Sequence, residues 1–190
     1  MSIAEKITTI SQNVQKVYDA GYEAGKGGGG KFASLVDKTI TEVSAGDLAG
    51  VTLISASAFS RCDKLTSITI PASVKTIDTY AFNQCTALTS VIFEEGSACD
   101  RIYTSAFYQC SMAEITLPAS ILEIASGAFS WCSYLKTFRI NRKVPPKLDA
   151  KAFGDYTKLN RIIVPAGCAA AYKSATNWSA YADIIVEATE

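Results

Sequence analysis

Histidine is absent from all 190 residues of this sequence, and its absence excludes several kinds of chemistry. A serine or cysteine nucleophile activated by histidine, an imidazole general base and a histidine-containing metal site all need this side chain. No Gly-x-Ser-x-Gly nucleophile elbow occurs, and no carboxylates have the spacing of metal ligands. The sequence therefore predicts a protein that is not an enzyme, with no catalytic, cofactor-binding or metal site.

An excess of either charge is also lacking, since 18 basic residues balance 18 acidic ones. We expect no nucleic-acid partner, because proteins that bind nucleic acid carry a clustered basic surface. No run approaches the roughly 20 apolar residues that cross a membrane, and the amino terminus is too polar for the core of a signal peptide. We therefore expect neither a membrane span nor a signal peptide, which leaves the location of the protein open.

An internal repeat is the strongest feature that the sequence does contain. Ala-Phe pairs recur at spacings of 23, 25, 22 and 24 residues, at Ala58-Phe59, Ala81-Phe82, Ala106-Phe107, Ala128-Phe129 and Ala152-Phe153. A period of this length indicates a solenoid, in which each repeat buries its apolar side chains against its neighbours. The predicted fold class is mainly β, a solenoid of about five repeats of 22–25 residues.

Each repeat contains a predicted strand. After the Ala-Phe pair, four repeats have a leucine followed by two alternating apolar residues, at Leu65-Ile68-Ile70, Leu88-Val91-Phe93, Leu135-Phe138-Ile140 and Leu159-Ile162-Val164. Alternation of this kind predicts a short strand with one face inward and one outward. Pro71, Pro118 and Pro165 stand where three of these strands are expected to end. Val74 and Ile77 follow the first of them and predict a return wall of the coil.

Four of the six cysteines occupy one position of the repeat, three residues after the phenylalanine, at Cys62, Cys85, Cys110 and Cys132. Stacked repeats place them in a buried column of small side chains, and parallel Cβ vectors do not suit a disulfide. Cys99 and Cys168 lie outside this column. An enzyme that uses either of them as a nucleophile is the alternative, and thiol labelling of the native protein tests it.

The repeat unit resembles the BspA-like leucine-rich repeats of bacterial surface proteins. The resemblance is carried by A-F-x-x-C-x-x-L-x-x-I-x-I-P-x-S-V-x-x-I from Ala58 to Ile77, by a looser copy from Ala106 to Ile124, and by the closing segment from Val164 to Val186. It implies a right-handed, slightly curved leucine-rich-repeat solenoid that binds other molecules. It also implies a role at a cell surface or in adhesion, although no export signal is found here.

The amino-terminal segment has a different pattern. Its apolar residues Ile3, Ile7, Ile10, Val14 and Val17 form a heptad seam, which predicts an amphipathic α-helix over residues 1–24. A Gly-rich linker follows at residues 25–31. The helix either caps the repeats or forms a coiled-coil homo-oligomer. The segment also resembles the starts of phage tail-region proteins of Gram-positive gut bacteria, which implies association with a virion.

The repeats are predicted to span residues 32–164, and a C-terminal cap residues 165–190, with Tyr172, Trp178 and Tyr181 covering the last repeat. The candidate binding residues lie between the inward positions of the strands, on the face that the resemblance makes concave: Ser67, Thr69, Ser90, Ile92, Glu114, Thr116, Thr137, Arg139, Arg161 and Ile163. Most single positions on such a face are ordinary solvated strand residues. The sequence favours a noncatalytic protein that binds a protein or a cell-surface glycan, and a structural spacer or assembly subunit without a ligand is the alternative.

Overall fold

The computed structural model describes residues 39–154 and 157–189, and within them the chain is built mainly of short parallel strands. The predicted helix over residues 1–24, the linker over residues 25–31 and the whole heptad seam from Ile3 to Val17 lie outside the described residues. These features therefore stay predictions.

Two kinds of strand alternate along the chain. The strands of the long-strand side are β1 (Glu42–Val43), β3 (Ser67–Ile70), β5 (Ser90–Phe93), β7 (Glu114–Leu117), β9 (Thr137–Ile140), β11 (Arg161–Val164) and β12 (Ile185–Glu187). The strands of the short-strand side have two residues each and are β2 (Leu53–Ile54), β4 (Thr76–Ile77), β6 (Arg101–Ile102), β8 (Glu123–Ile124) and β10 (Lys147–Leu148).

Successive coils of the chain stack on one another. The short-strand side is one parallel sheet in the order β2, β4, β6, β8, β10. On the long-strand side β1, β3 and β5 form one parallel sheet, and β7, β9, β11 and β12 form another. Each coil from β2 to β11 thus adds one strand to each side, so equivalent residues of neighbouring coils lie side by side.

The strands form where the apolar alternation predicted them. Their inward residues are nearly inaccessible, since Ile68, Ile115, Phe138 and Ile162 are at most 2% exposed and Val91 is 9% exposed. The predicted prolines follow directly after β3, β7 and β11, where a residue without an N–H group ends the ladder. The return wall is confirmed as well, because Val74 and Ile77 are fully buried.

The repeated phenylalanines form the centre of the core. Phe59, Phe82, Phe107 and Phe129 stack in order, with 5.1, 5.1 and 5.5 Å between successive ring centroids and planes within 8° of parallel. Phe153 continues the column at 5.9 Å from Phe129. Phe82, Phe107 and Phe129 each lie between the rings of the preceding and the following coil, so the coils depend on one another for their core.

The cysteine column is confirmed and does more than fill space. Cys62, Cys85, Cys110 and Cys132 are at most 2% exposed. The last three donate their S–H groups to the phenylalanine carbonyl one coil earlier, at 3.0, 3.2 and 3.0 Å. One coil later the Thr157 hydroxyl donates in the same way to the Phe129 carbonyl, at 2.6 Å. The phenylalanine carbonyl of one coil thus accepts a hydrogen bond from a side chain of the following coil.

The carboxy-terminal residues lie against the last coils. A short helix α1 (Ala169–Ser174) and a 3-10 helix (Ser179–Ile184) precede β12. Tyr172 and Trp178 are fully buried, and each donates to a main-chain carbonyl at 2.8 Å, the hydroxyl to Arg142 and the indole N–H to Pro146. The polar ends of both rings are thus satisfied while their apolar surfaces cover the end of the core.

Candidate functional site

The long-strand side is interrupted in its middle. β5 and β7 lie next to each other but do not pair, although β5 pairs with β3 and β7 pairs with β9 along all four residues. The two coils are still joined just before these strands, where the Ser111 N–H donates to the Leu88 carbonyl at 3.0 Å. A gap in the ladder therefore divides the outward face.

Two changes of length in the sequence coincide with this gap. The connection from β6 to β7 covers residues 103–113 and is eleven residues long, whereas residues 78–89 and 125–136 form connections of twelve. The missing residue lies between Cys110 and Met112, so β7 begins one residue early. The turn after β5 is longer instead, with seven residues at 94–100 where the coils before and after have five.

A cleft of about 650 Å³ lies at the gap. Its walls come from β5, from β7 and from the two turns that follow these strands. The lining residues are Thr89, Ser90, Val91, Ile92, Phe93, Glu94, Glu95, Gly96, Ser97, Glu114, Ile115, Thr116, Pro118, Ala119, Ser120 and Asn141. The volume falls within the range of small-molecule and peptide-anchor pockets.

The charged residues of this lining are all acidic, namely Glu94, Glu95 and Glu114. Glu94 accepts a hydrogen bond from the Ala72 N–H at 2.9 Å, which ties the longer turn to the preceding coil. Among the described residues the two ion pairs found are Asp100 with Arg101 and Glu123 with Lys147. Neither involves a cleft carboxylate, so the negative charge of the lining is not neutralised within the described part of the chain.

An apolar surface lies between these carboxylates. Ile92 is 54% exposed. Isoleucine is among the residues most often buried, so an exposure this large is unusual. Its partner in register on β3 is Thr69, and the gap leaves it without a paired residue on the β7 side. The cleft thus combines an exposed apolar wall with acidic groups.

The structure brings four of the ten predicted binding residues into this cleft, namely Ser90, Ile92, Glu114 and Thr116. The others are distributed on both sides of it. Ser67 and Thr69 lie on β3, Thr137 and Arg139 on β9, and Arg161 on β11, all half-buried or exposed.

The prediction that Ile163 faces solvent is wrong, because this residue is only 5% exposed. Its register neighbours are Arg139 on β9 and Val186 on β12. The repeat pattern predicts that β11 is the last strand of this face. In the structure a further strand, β12, pairs with it. Ile163 therefore has sheet neighbours on both sides and offers little surface to a partner.

Four of the buried cysteines lie in surroundings that disfavour the thiolate form. Cys99 is fully buried, and burial raises the pKa of its thiol to about 12. Burial likewise raises the thiol pKa of Cys85 and of Cys132 to about 12, and that of Cys110 well above its ordinary value. Since the thiolate is the reactive form, these cysteines are inert at neutral pH. Cys168 is half-buried and its thiol lies 3.6 Å from the Ala166 carbonyl.

Residues 39–154 and 157–189 show neither a metal-binding cluster nor a membrane-spanning helix. Within these ranges no group of three or more cysteine, aspartate or glutamate side chains is placed to hold a metal ion. The helices that lie there are too short or too polar to span a membrane.

The repeat pattern and the stacked parallel strands point to one family. The sequence model of the BspA type leucine-rich repeat region matches residues 52–180 in six copies. The chain belongs to the BspA-type leucine-rich-repeat family. The resemblance seen from Ala58 to Ile77 is thereby confirmed, and leucine-rich-repeat proteins of this kind generally mediate protein interactions. None of the curated proteins matches the chain.

Two solved structures of bacterial proteins are similar to parts of this chain. A leucine-rich repeat protein from Bacteroides ovatus is 28% identical, with a TM-score of 0.55 over 69% of this chain and 35% of its own. The pneumococcal vaccine antigen PcpA is 27% identical, with a TM-score of 0.49 over 62% of this chain and 36% of its own. The BspA-type chain described here thus matches about a third of the length of these two proteins.

Proposed function

We propose that this BspA-type protein is a noncatalytic recognition protein, which binds a partner protein through the outward face of the long strands. The observation that carries this proposal is the cleft between β5 and β7, since it unites four predicted binding residues, among them the exposed apolar side chain of Ile92. Interfaces are centred on apolar side chains in pockets, with polar groups around them. The cleft has this composition.

Several finer features belong to the same proposal. A place on a bacterial surface or in a phage tail accords with the repeats and with the amino-terminal segment, and adhesion is the corresponding role. A heptad seam at Ile3 to Val17 joins copies of the chain or caps the repeats. A cell-surface glycan is the alternative ligand, and a spacer without any ligand is the alternative function.

Site-specific photocrosslinking tests the proposal. A photoreactive amino acid replaces Thr116 in the cleft of the full chain, and in a matched control it replaces Lys75, which is exposed beside the short strand β4. Both proteins are irradiated in the same extracts of bacterial and host cells. We expect a single defined peptide adduct from position 116 and none from position 75.

Other outcomes of this experiment decide between the alternatives. An adduct at position 116 that contains carbohydrate and no peptide would show that the ligand is a glycan and not a protein. The same adducts from both positions, or adducts from neither, contradict recognition through the cleft and favour the spacer function.

A further inference from the structure

The carboxylates that line the cleft are found toward its two ends. Glu114 is the first residue of β7, as Ser90 is the first residue of β5, so it lies toward the end of the cleft at which both strands begin. Glu94 and Glu95 follow the last residue of β5, at the opposite end. The four residue steps from Ser90 to Glu94 correspond to about 13 Å along an extended strand. Two negatively charged positions are therefore separated by roughly one short strand.

The middle of the cleft is uncharged. Ile92 lies halfway along β5 and is more than half exposed, and Thr116 is the uncharged exposed residue of β7 on the same face. Carboxylates alone would form an ordinary solvated surface, but here they flank an apolar residue that the gap in the sheet leaves uncovered. A ligand that satisfies both features is apolar in its centre and cationic at its ends.

We propose, resting on the proposed function, that the cleft binds an extended segment of a partner protein with the pattern basic-x-apolar-x-basic. In an extended chain, residues i, i+2 and i+4 point to one side, and i and i+4 are about 13 Å apart. The central apolar side chain packs on Ile92. The two lysine or arginine side chains reach Glu114 at one end and Glu94 and Glu95 at the other.

The neighbouring basic residues define the position of this segment. Arg139 lies in register with Thr116, one strand further from the gap, and Arg161 lies one strand beyond that. Both repel a cationic ligand that moves toward β9. The segment is consequently confined to the gap itself, between β5 and β7.

Fluorescence anisotropy with labelled peptides tests the pattern on the full chain. The probe peptide is Gly-Lys-Ser-Leu-Ser-Lys-Gly, and its controls are the scrambled Gly-Lys-Lys-Ser-Ser-Leu-Gly and a copy with glutamate in place of both lysines. We expect the probe to bind more tightly than the scrambled peptide, and the glutamate copy not to bind. Added salt weakens the interaction because the charges are exposed.

Protein variants locate the contact. Glu95→Gln and Glu114→Gln each weaken probe binding about two- to fivefold, as expected for exposed ion pairs. Ile92→Ser weakens it as well, since the apolar contact is lost. Asp183→Asn removes the same charge from an exposed residue outside the cleft and leaves the affinity unchanged. Circular dichroism verifies that all variants are folded.

Equal affinity for the probe and the scrambled peptide, or affinities that none of the cleft variants changes, overturns this inference. The proposed function can survive that result, since the crosslink at position 116 reports a partner of any charge. An adduct at position 116 that persists in the Glu95→Gln, Glu114→Gln double variant shows that a partner binds there but does not require its cationic residues.

Discussion

At the scale of single residues, the repeat positions have roles that follow from stacking. The phenylalanine is large and apolar and fills the centre of a coil, and its ring lies parallel to the rings above and below. The burial of these positions could be predicted from the period alone. The hydrogen bonds of the cysteines could not, because a thiol is a weak donor and its acceptor lies about 25 residues earlier in the chain, as for Cys132 and Phe107.

Replacing Phe107 by alanine opens a cavity in the middle of the ring column. We expect the free energy of unfolding to fall by about 3 to 5 kcal/mol, because rings on both sides lose their contacts. Urea denaturation of the variant and the parent measures the difference. Tyr134→Ala is the control, since Tyr134 is 63% exposed and its replacement changes stability by less than about 0.5 kcal/mol. Equal losses for both variants would show that the ring column is not the core.

The buried thiols predict a loss of stability at alkaline pH. In the unfolded chain the thiol of Cys85 ionises near its ordinary pKa of 9.0, whereas in the folded protein its pKa is about 12. Between these values the folded state holds more protons, so the free energy of unfolding falls as the pH rises through this window. Melting temperatures measured from neutral pH to about pH 11 follow the effect. A Cys85→Ala variant should decline less steeply, and identical slopes would contradict the assignment.

At the scale of strands and turns, the alternation of apolar residues predicted where strands form, and the prolines predicted where three of them end. Pairing between strands depends on the lengths of the connections as well, and the gap between β5 and β7 was not predicted. A signal for it existed in the sequence: the leucine position of the third repeat is taken by Met112, two rather than three residues after the cysteine. The error at Ile163 has another origin, because β12 pairs with β11 but does not follow the repeat pattern.

Restoring the missing residue should close the gap. One alanine inserted between Ser111 and Met112 gives the connection the length of its neighbours. We expect β7 to pair with β5 and the free energy of unfolding to rise by about 1 to 3 kcal/mol, for two backbone hydrogen bonds of about 0.5 to 1.5 kcal/mol each. The rise is measured by urea denaturation. The same insertion between Ser133 and Tyr134 is the control, and it lowers stability because that connection already has full length. A lower stability of both variants would contradict the account of the gap.

At the scale of the whole molecule, the family and the parallel stacking could be predicted, because the repeat is both long and specific. The partner could not, since the cleft that we propose for recognition lies where two connections depart from the length of the repeat. The predicted amino-terminal seam lies outside the described residues, and whether it assembles copies of the chain or caps the repeats is a question at this scale.

Solution mass from light scattering tests this seam, with the full chain compared with a version that begins at Lys31. An assembling seam makes the full chain a trimer or tetramer, since β-branched residues at both seam positions favour more than two strands, and the shorter version a monomer. If the helix is a cap, both the full chain and the shorter version are monomers, and the shorter version melts at a lower temperature. Equal masses and equal melting temperatures contradict both roles.

Amide hydrogen exchange tests the central claim most directly, namely that a gap in the long-strand side forms the recognition cleft. In a parallel ladder alternate residues direct their N–H groups to the same neighbour, so those of Glu114 and Thr116 point toward β5. Their equivalents on β9 are Thr137, whose N–H donates to the Ala113 carbonyl at 3.3 Å, and Arg139. We predict that Glu114 and Thr116 exchange faster than Thr137 and Arg139 in the free protein. Equal protection of the two pairs would mean that β5 and β7 are joined, and would contradict the account.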